Sequence, residues 1–191
     1  MGLESTAGSR NRKNLRRIGA LRGARLGPHM ACAARGGFFV LMGVGMIYTP
    51  LTKKALDICY RAHAGQRDRS GAPYAFHPFH VAEQMDTEDE VCAALLHDVV
   101  EDSDISLDDL RAEGFPERIV HAVDLLTHDE SVPYLDYVRG IRGNALAEKV
   151  KLADLDHNND FTRLDMVTDA DRRRRAEKYE PAYRILRGQV D

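Results

Sequence analysis

At 191 residues, 43% apolar and 30% charged with no tryptophan, the chain reads as one soluble globular domain with a tail. Three widely spaced cysteines, Cys32, Cys59 and Cys92, exclude a disulfide framework and a zinc pattern and fit a reducing cytoplasm. The net charge of -3 divides unevenly: residues 1–35 hold eight basic residues against Glu4 alone, +7, so the rest carries -10 and is a poor nucleic-acid binder.

The basic leader runs into an apolar stretch, Gly37 to Tyr48, interrupted by Gly43 and Gly45. It is too short to span a bilayer and lacks a clear small-residue cleavage site. We expect residues 1–45 to be a leader or disordered tail, with Met46 the authentic start and 46–191 the folded domain. From residue 49 the pattern is helical. Thr49 caps a helix with Pro50 at its first position, and Leu51, Ala55, Ile58, Cys59 and Ala62 form its apolar stripe. A loop follows, Gly65 to Pro73, then a short helix near Pro78.

Thr87-Glu88-Asp89-Glu90 is a capping box that opens a buried helix running through Val91 to Asp102. Ser106 caps a short helix ended by Gly114, and Pro116 opens another through Leu126. Ser131-Val132-Pro133 starts one to about Arg142. Asn144 caps the helix that carries Lys151 and Asp154, and Thr168 caps a last, highly charged helix. No alternating strand, internal repeat or glycine-rich phosphate loop interrupts this series. The expected architecture is an all-α bundle of roughly seven or eight helices.

Chemistry concentrates in four segments: Tyr74-Ala75-Phe76-His77-Pro78, Leu95-Leu96-His97-Asp98, Glu101-Asp102, and Val150-Lys151-Leu152-Ala153-Asp154 running on to His157-Asn158. His97 and Glu101 are four apart, as are Asp98 and Asp102, so each pair shares a helix face. The preceding residues are apolar on all sides. A buried helix ending in His, Asp, Glu and Asp is costly unless these groups are paired or bind metal. With His77 and Asp154 from other helices, two nitrogens and two carboxylates suit a divalent ion that keeps open positions for water. His63, His80, His157, His121 and His128 are expected to pack, cap or lie on the surface, and Arg172 to Arg175 to form a solvated helix face.

These segments, with Ala62-His63-Ala64-Gly65-Gln66, Ser70-Gly71-Ala72-Pro73-Tyr74, Leu107 to Gly114 and Leu125-Leu126-Thr127, resemble the HD superfamily of metal-dependent phosphohydrolases, in particular the hydrolase domain of RelA/SpoT proteins and its small metazoan homologue. The resemblance covers about residues 50–165. It implies an all-α fold, a single Mn²⁺ and hydrolysis of the 3′-pyrophosphate of (p)ppGpp. Matched position by position, it makes His77, His97, Asp98 and Asp154 the metal ligands and Glu101 and Asp102 the acidic pair that positions and deprotonates water. It makes Arg69 and Ser70 part of the base-binding loop and Asn158 a nucleotide contact. Arg67, Arg69, Lys151 and Arg163 are the cations available for pyrophosphate.

Three positions depart from the family pattern. Asp68 precedes Arg69 where the family has arginine, and Leu155 and Asp160 replace arginines after the aspartate and the asparagine. On this reading Asp68→Arg improves alarmone turnover. The departures also keep a second expectation open, an HD phosphohydrolase acting on another nucleotide or phosphate ester. After Asp165 only the terminal helix remains, so a hydrolase without a synthetase domain is expected, cytoplasmic, with a small-molecule nucleotide as partner and neither nucleic acid nor membrane.

Overall fold

The computed structural model describes residues 47–163 and 168–189, with the side chain of Arg163 outside the described set. The expected leader, residues 1–45, also lies outside the described residues. Among those described, nine α-helices and one 3-10 turn follow one another, with a single isolated bridge between Arg67 and Pro73 and no strand.

Helix α1 (Pro50–Ala62) starts at Thr49, whose side chain accepts from the Thr52 N–H, with proline in the first turn. Helix α2 (Phe76–Ala82) follows the Gly65–Pro73 loop. Gly65 and Gly71 take φ of +82° and +83° there, a region that side-chain-bearing residues avoid. Helix α3 (Glu88–Leu96) is the centre of the molecule. Thr87 and Glu90 form its capping box, and every residue from Val91 to Leu96 is buried. It packs on α1, α2, α6 (Glu117–Leu126) and α8 (Ala145–Asn159), which explains why its apolar residues show no single face.

The helix expected through 91–102 is divided. It pauses at His97-Asp98, and α4 (Val99–Asp102) resumes the run. One expected helix is therefore two. The remaining elements are α5 (Leu107–Ala112), α7 (Tyr134–Ile141), a 3-10 turn (Phe161–Arg163) and α9 (Asp169–Leu186). Ser106, Asn144 and Thr168 cap α5, α8 and α9 as the sequence indicates. Helix α9 packs on α7 and α8, which sets its charged face beside the C-terminal half of α8. Among the described residues no helix is long and apolar enough to cross a membrane.

Candidate metal centre

The pause at His97-Asp98 turns both side chains toward the mouth of the bundle. His97 is 1% exposed; its Nδ1–H donates to the Ala94 carbonyl at 2.7 Å, which leaves the Nε2 lone pair facing inward. That atom is buried and has no hydrogen-bond partner. It lies 3.1 Å from Asp98 Oδ2 and 3.9 Å from Asp154 Oδ1; the nearer contact is out of line for a hydrogen bond and counts as charge attraction only. His77, from α2, brings Nε2 to 3.1 Å from Asp154 Oδ1 and 3.5 Å from Asp98 Oδ2. One ligand atom each from His77, His97 and Asp154 lies within 4.8 Å of the others, and Asp98 Oδ2 stands against both imidazoles. Two imidazole nitrogens and two carboxylate oxygens converge from α2, α8 and the α3–α4 junction. An orphaned lone pair facing two carboxylates is what a divalent cation satisfies, so the residues present fit one.

The electrostatics follow from this geometry. Burial opposes charge on His97, but the carboxylates of Asp98 and Asp154 outweigh it and raise the imidazole to about 9, so a cation taken up at Nε2 displaces a proton from it. Burial likewise opposes charge on Asp154, yet the Lys151 ammonium, then His77 and His97, hold it well below the ordinary carboxylate value. Asp98 is also lowered: His97 outweighs its burial.

Supporting contacts fix each donor. Tyr74 O–H donates to Asp98 Oδ2 at 2.6 Å. Lys151 Nζ donates to Asp154 Oδ2 at 2.8 Å and lies over the Tyr137 ring; its own side chain is 13% exposed. Asn158, one turn past Asp154, donates from Nδ2 to Asp154 Oδ1 at 2.5 Å. Behind His77, the Nδ1 atoms of His77 and His157 approach to 2.5 Å with the rings stacked, so one of the two donates. The His80 ring lies tilted against that of His157, with centroids 4.4 Å apart. Of these, sequence reasoning gave Tyr74 no role and expected His157 to pack, cap or lie on the surface. Nothing in their spacing signals a bond to a residue 24 or 80 positions away.

Two adjoining cavities open on this cluster and share Tyr74, His77, Asn158 and Tyr179. The metal-side cavity, about 270 Å³, is lined among others by Asp98, Glu101, Lys151, Asp154 and Lys178. Glu101 stands at its exposed rim, where Oε2 accepts the His128 N–H at 2.9 Å. Asp102 is exposed and is not among the residues lining either cavity; desolvation, then the nearby Asp98 charge, raises its pKa. The second cavity, about 280 Å³, is walled by Arg67, Asp68, Arg69, Ser70 and Arg175. The structure thus brings Arg69 and Ser70 to one pocket and Glu101 to the metal side.

Lys151, expected as a substrate cation, has its charge committed to Asp154, and Asn158 likewise orients that carboxylate while lining both cavities. Arg163 lies outside the described side chains. The arginines expected on a solvated face divide: Arg175 turns inward, donating to the Asn158 carbonyl and stacking, with Arg172, on Phe161.

Asp68 has a local reason. Its Oδ1 accepts from Ser70 N at 2.8 Å, Ser70 Oγ at 2.6 Å and Ala72 N at 3.0 Å, so the carboxylate organises the loop. Arginine there forfeits those bonds, a cost that the expectation for Asp68→Arg did not include. Leu155 is 1% exposed in the core, and Asp160 caps the turn through Thr162. Gln66 joins the loop to the acidic end of α4: Oε1 meets His63 Nδ1 at 2.8 Å, and Nε2 donates to the Asp102 carbonyl at 2.9 Å.

An all-helical bundle with histidines and aspartates gathered at the mouth of a buried helix defines an HD-domain protein. The HD-domain family model matches residues 55–154, just over half of the sequence, and the chain belongs to that family. It is 35% identical over 118 residues to the guanosine-3′,5′-bis(diphosphate) 3′-pyrophosphohydrolase MESH1 of Homo sapiens, an alignment covering 55% of this chain and 65% of that protein. Against MESH1 of Mus musculus it is 32% identical over 149 residues, 71% of this chain and 82% of the relative. The guanosine-3′,5′-bis(diphosphate) 3′-pyrophosphohydrolase of Aquifex aeolicus (strain VF5) is 33% identical over 87 residues, only 12% of its length. A solved structure described as a metazoan ortholog of SpoT that hydrolyzes ppGpp superposes with a TM-score of 0.64 at 25% identity, covering 75% of this chain and 89% of that one.

Proposed function

We propose that this chain is a metal-dependent hydrolase that removes the 3′-pyrophosphate of guanosine 3′,5′-bis(diphosphate) and its pentaphosphate analogue. The products are GDP or GTP and pyrophosphate. The observation that carries this is the cluster of His77, His97, Asp98 and Asp154 beside two cavities walled by unlike groups, acids and lysines on one side and the Arg69–Ser70 loop on the other. The names of the relatives support the substrate.

His77, His97, Asp98 and Asp154 hold the ion, which is Mn²⁺ in this proposal. When bound, a divalent ion acidifies water and offsets charge at the attacked phosphorus. Glu101, held by the His128 N–H, takes the proton of the attacking water. The water oxygen bonds to the phosphorus attached to O3′, the P–O3′ bond breaks, and O3′ leaves with a proton. Glu101, having taken the proton of the water, returns it to O3′, and Asp102 is the second member of the acidic pair that positions that water. Arg69 and Ser70 receive the nucleoside end and Asn158 sits between the two ends. Residues 46–191 constitute the hydrolase, its place the cytoplasm and its role the turnover of a stringent-response alarmone.

The test is turnover of ppGpp by the purified chain with Mn²⁺, resolved by anion exchange, with Asp98→Ala as control. GDP and pyrophosphate, absent from the control, are the expected products. A folded, metal-loaded protein that leaves ppGpp intact overturns the proposal. Asp68 on the wall of the second cavity favours a second reading, hydrolysis of a less highly charged nucleotide or phosphate ester. A panel of nucleotides in the same assay separates the two.

A further inference from the structure

We propose that Lys178, on α9 and outside the segment that matches the HD family, is a specificity residue that holds the pyrophosphoryl end of the substrate. This rests on the polyphosphate-hydrolase reading above. Lys178 Nζ lies 4.8 Å from the centre of the Tyr134 ring and 5.5 Å from that of Tyr179, and the residue lines the metal-side cavity with His77, Asp98, Glu101 and Asp154. Among the described residues it forms no ion pair. Of the cations nearby, Lys151 is paired with Asp154, and Arg175 and Arg67 each donate to a backbone carbonyl, of Asn158 and Gly71.

Burial, then Lys151, then Arg69 lower the pKa of Lys178 against the opposing pull of Asp154 and Glu101. An ammonium held over two phenol faces and opening on the cavity is completed by an anion from outside. It lines the metal-side cavity and not the Arg67–Ser70 pocket, which assigns that anion to the phosphate end of the ligand. A flexible lysine tip meets a phosphate oxygen as a point charge, without the fixed fork of arginine. It also supplies a cation that α8 lacks, since Leu155 is in the core and Asp160 is an acid.

The test compares the full-length wild type with Lys178→Gln and Lys178→Arg. Binding of inorganic pyrophosphate and of GDP to the Mn²⁺-loaded proteins is measured by calorimetry, and KM and kcat on ppGpp alongside. A charge-assisted contact predicts pyrophosphate binding about 10- to 100-fold weaker in Lys178→Gln, with GDP affinity and thermal midpoint unchanged and Lys178→Arg recovering most of the loss. Equal pyrophosphate affinity in wild type and Lys178→Gln overturns the assignment. So does an equal loss of GDP, which marks a general surface-charge effect. Should ppGpp stay intact while the pyrophosphate difference persists, the activity fails and Lys178 stands. Turnover of ppGpp with KM unchanged in Lys178→Gln has the opposite meaning.

Discussion

Asp154 shows what a single buried charge demands. Its carboxylate meets Lys151, Asn158 and the two imidazoles, and its side chain is 6% exposed. Removing one member of a buried pair leaves the other uncompensated, at about 3–5 kcal/mol. Lys151→Met is therefore expected to destabilise the chelated protein by about that amount, and Mn²⁺ to restore part of it by giving Asp154 another cation. Thermal midpoints with EDTA and with Mn²⁺ check this; a loss indifferent to metal speaks against Asp154 as a ligand. Tyr74→Phe removes the phenol O–H that donates to Asp98 without changing the ring. Loss of such an outer contact weakens metal binding about 10- to 100-fold. Calorimetric titration with Mn²⁺ reads it directly, and wild-type affinity in the variant contradicts the role given to Tyr74.

The Gly65–Pro73 loop is ordered by Asp68 accepting three hydrogen bonds, which makes the substitution Asp68→Asn informative. Asparagine keeps an acceptor oxygen for the turn and removes a negative charge from the pocket wall. The expected result is a KM for ppGpp about two- to fivefold lower at low salt, the gain shrinking as salt screens it. Asp68→Arg is expected to raise KM instead, since no acceptor remains. Paired KM measurements at two ionic strengths test both. At the start of α3, Glu90 accepts from the Asp86 and Thr87 N–H groups and from Lys149. Partial burial works against its charge, but Lys149 and those N–H donors prevail and its pKa falls below the ordinary 4.5. A depressed carboxylate stabilises the fold above its unfolded value and ceases to as pH falls through its folded value. Urea denaturation should show stability falling below about pH 4.5, and Glu90→Gln should lose about 1 kcal/mol at pH 7 with a shallower acid limb. An unchanged acid limb contradicts the assignment.

Over the whole molecule, one core supports one site. Helix α3 ends at the metal cluster and is buried from Val91 onward, so packing and ligand geometry share the same side chains. Leu96→Ala, immediately before His97, is expected to cost about 2–5 kcal/mol and to weaken metal binding with it. Chemical denaturation with and without Mn²⁺ follows both losses. Stability lost with metal affinity intact shows the site to be independent of the core. The same core encloses Cys59 and Cys92, whose thiols burial pushes up to about 12, as inert packing groups rather than nucleophiles.

The sequence by itself determined the helical series and most of its boundaries, because caps are local: a threonine, serine or asparagine bonds an N–H three residues on, wherever the rest of the chain goes. It also determined the candidate ligands, since His77-Pro78, His97-Asp98 and Lys151 to Asp154 are contiguous segments whose residue types already state their chemistry. It did not show the pause between α3 and α4, because an apolar run reads the same with or without one. Only the tertiary structure decided which polar groups meet. Tyr74 reaches Asp98, His157 backs His77, Lys151 is spent on Asp154, and α9 brings Arg175 and Lys178 to the cavities. Each of these contacts joins residues through the packing of helices, at separations where no periodicity of the chain relates them, apart from Lys151 and Asp154, where the i,i+3 spacing was visible and the burial that commits the lysine was not.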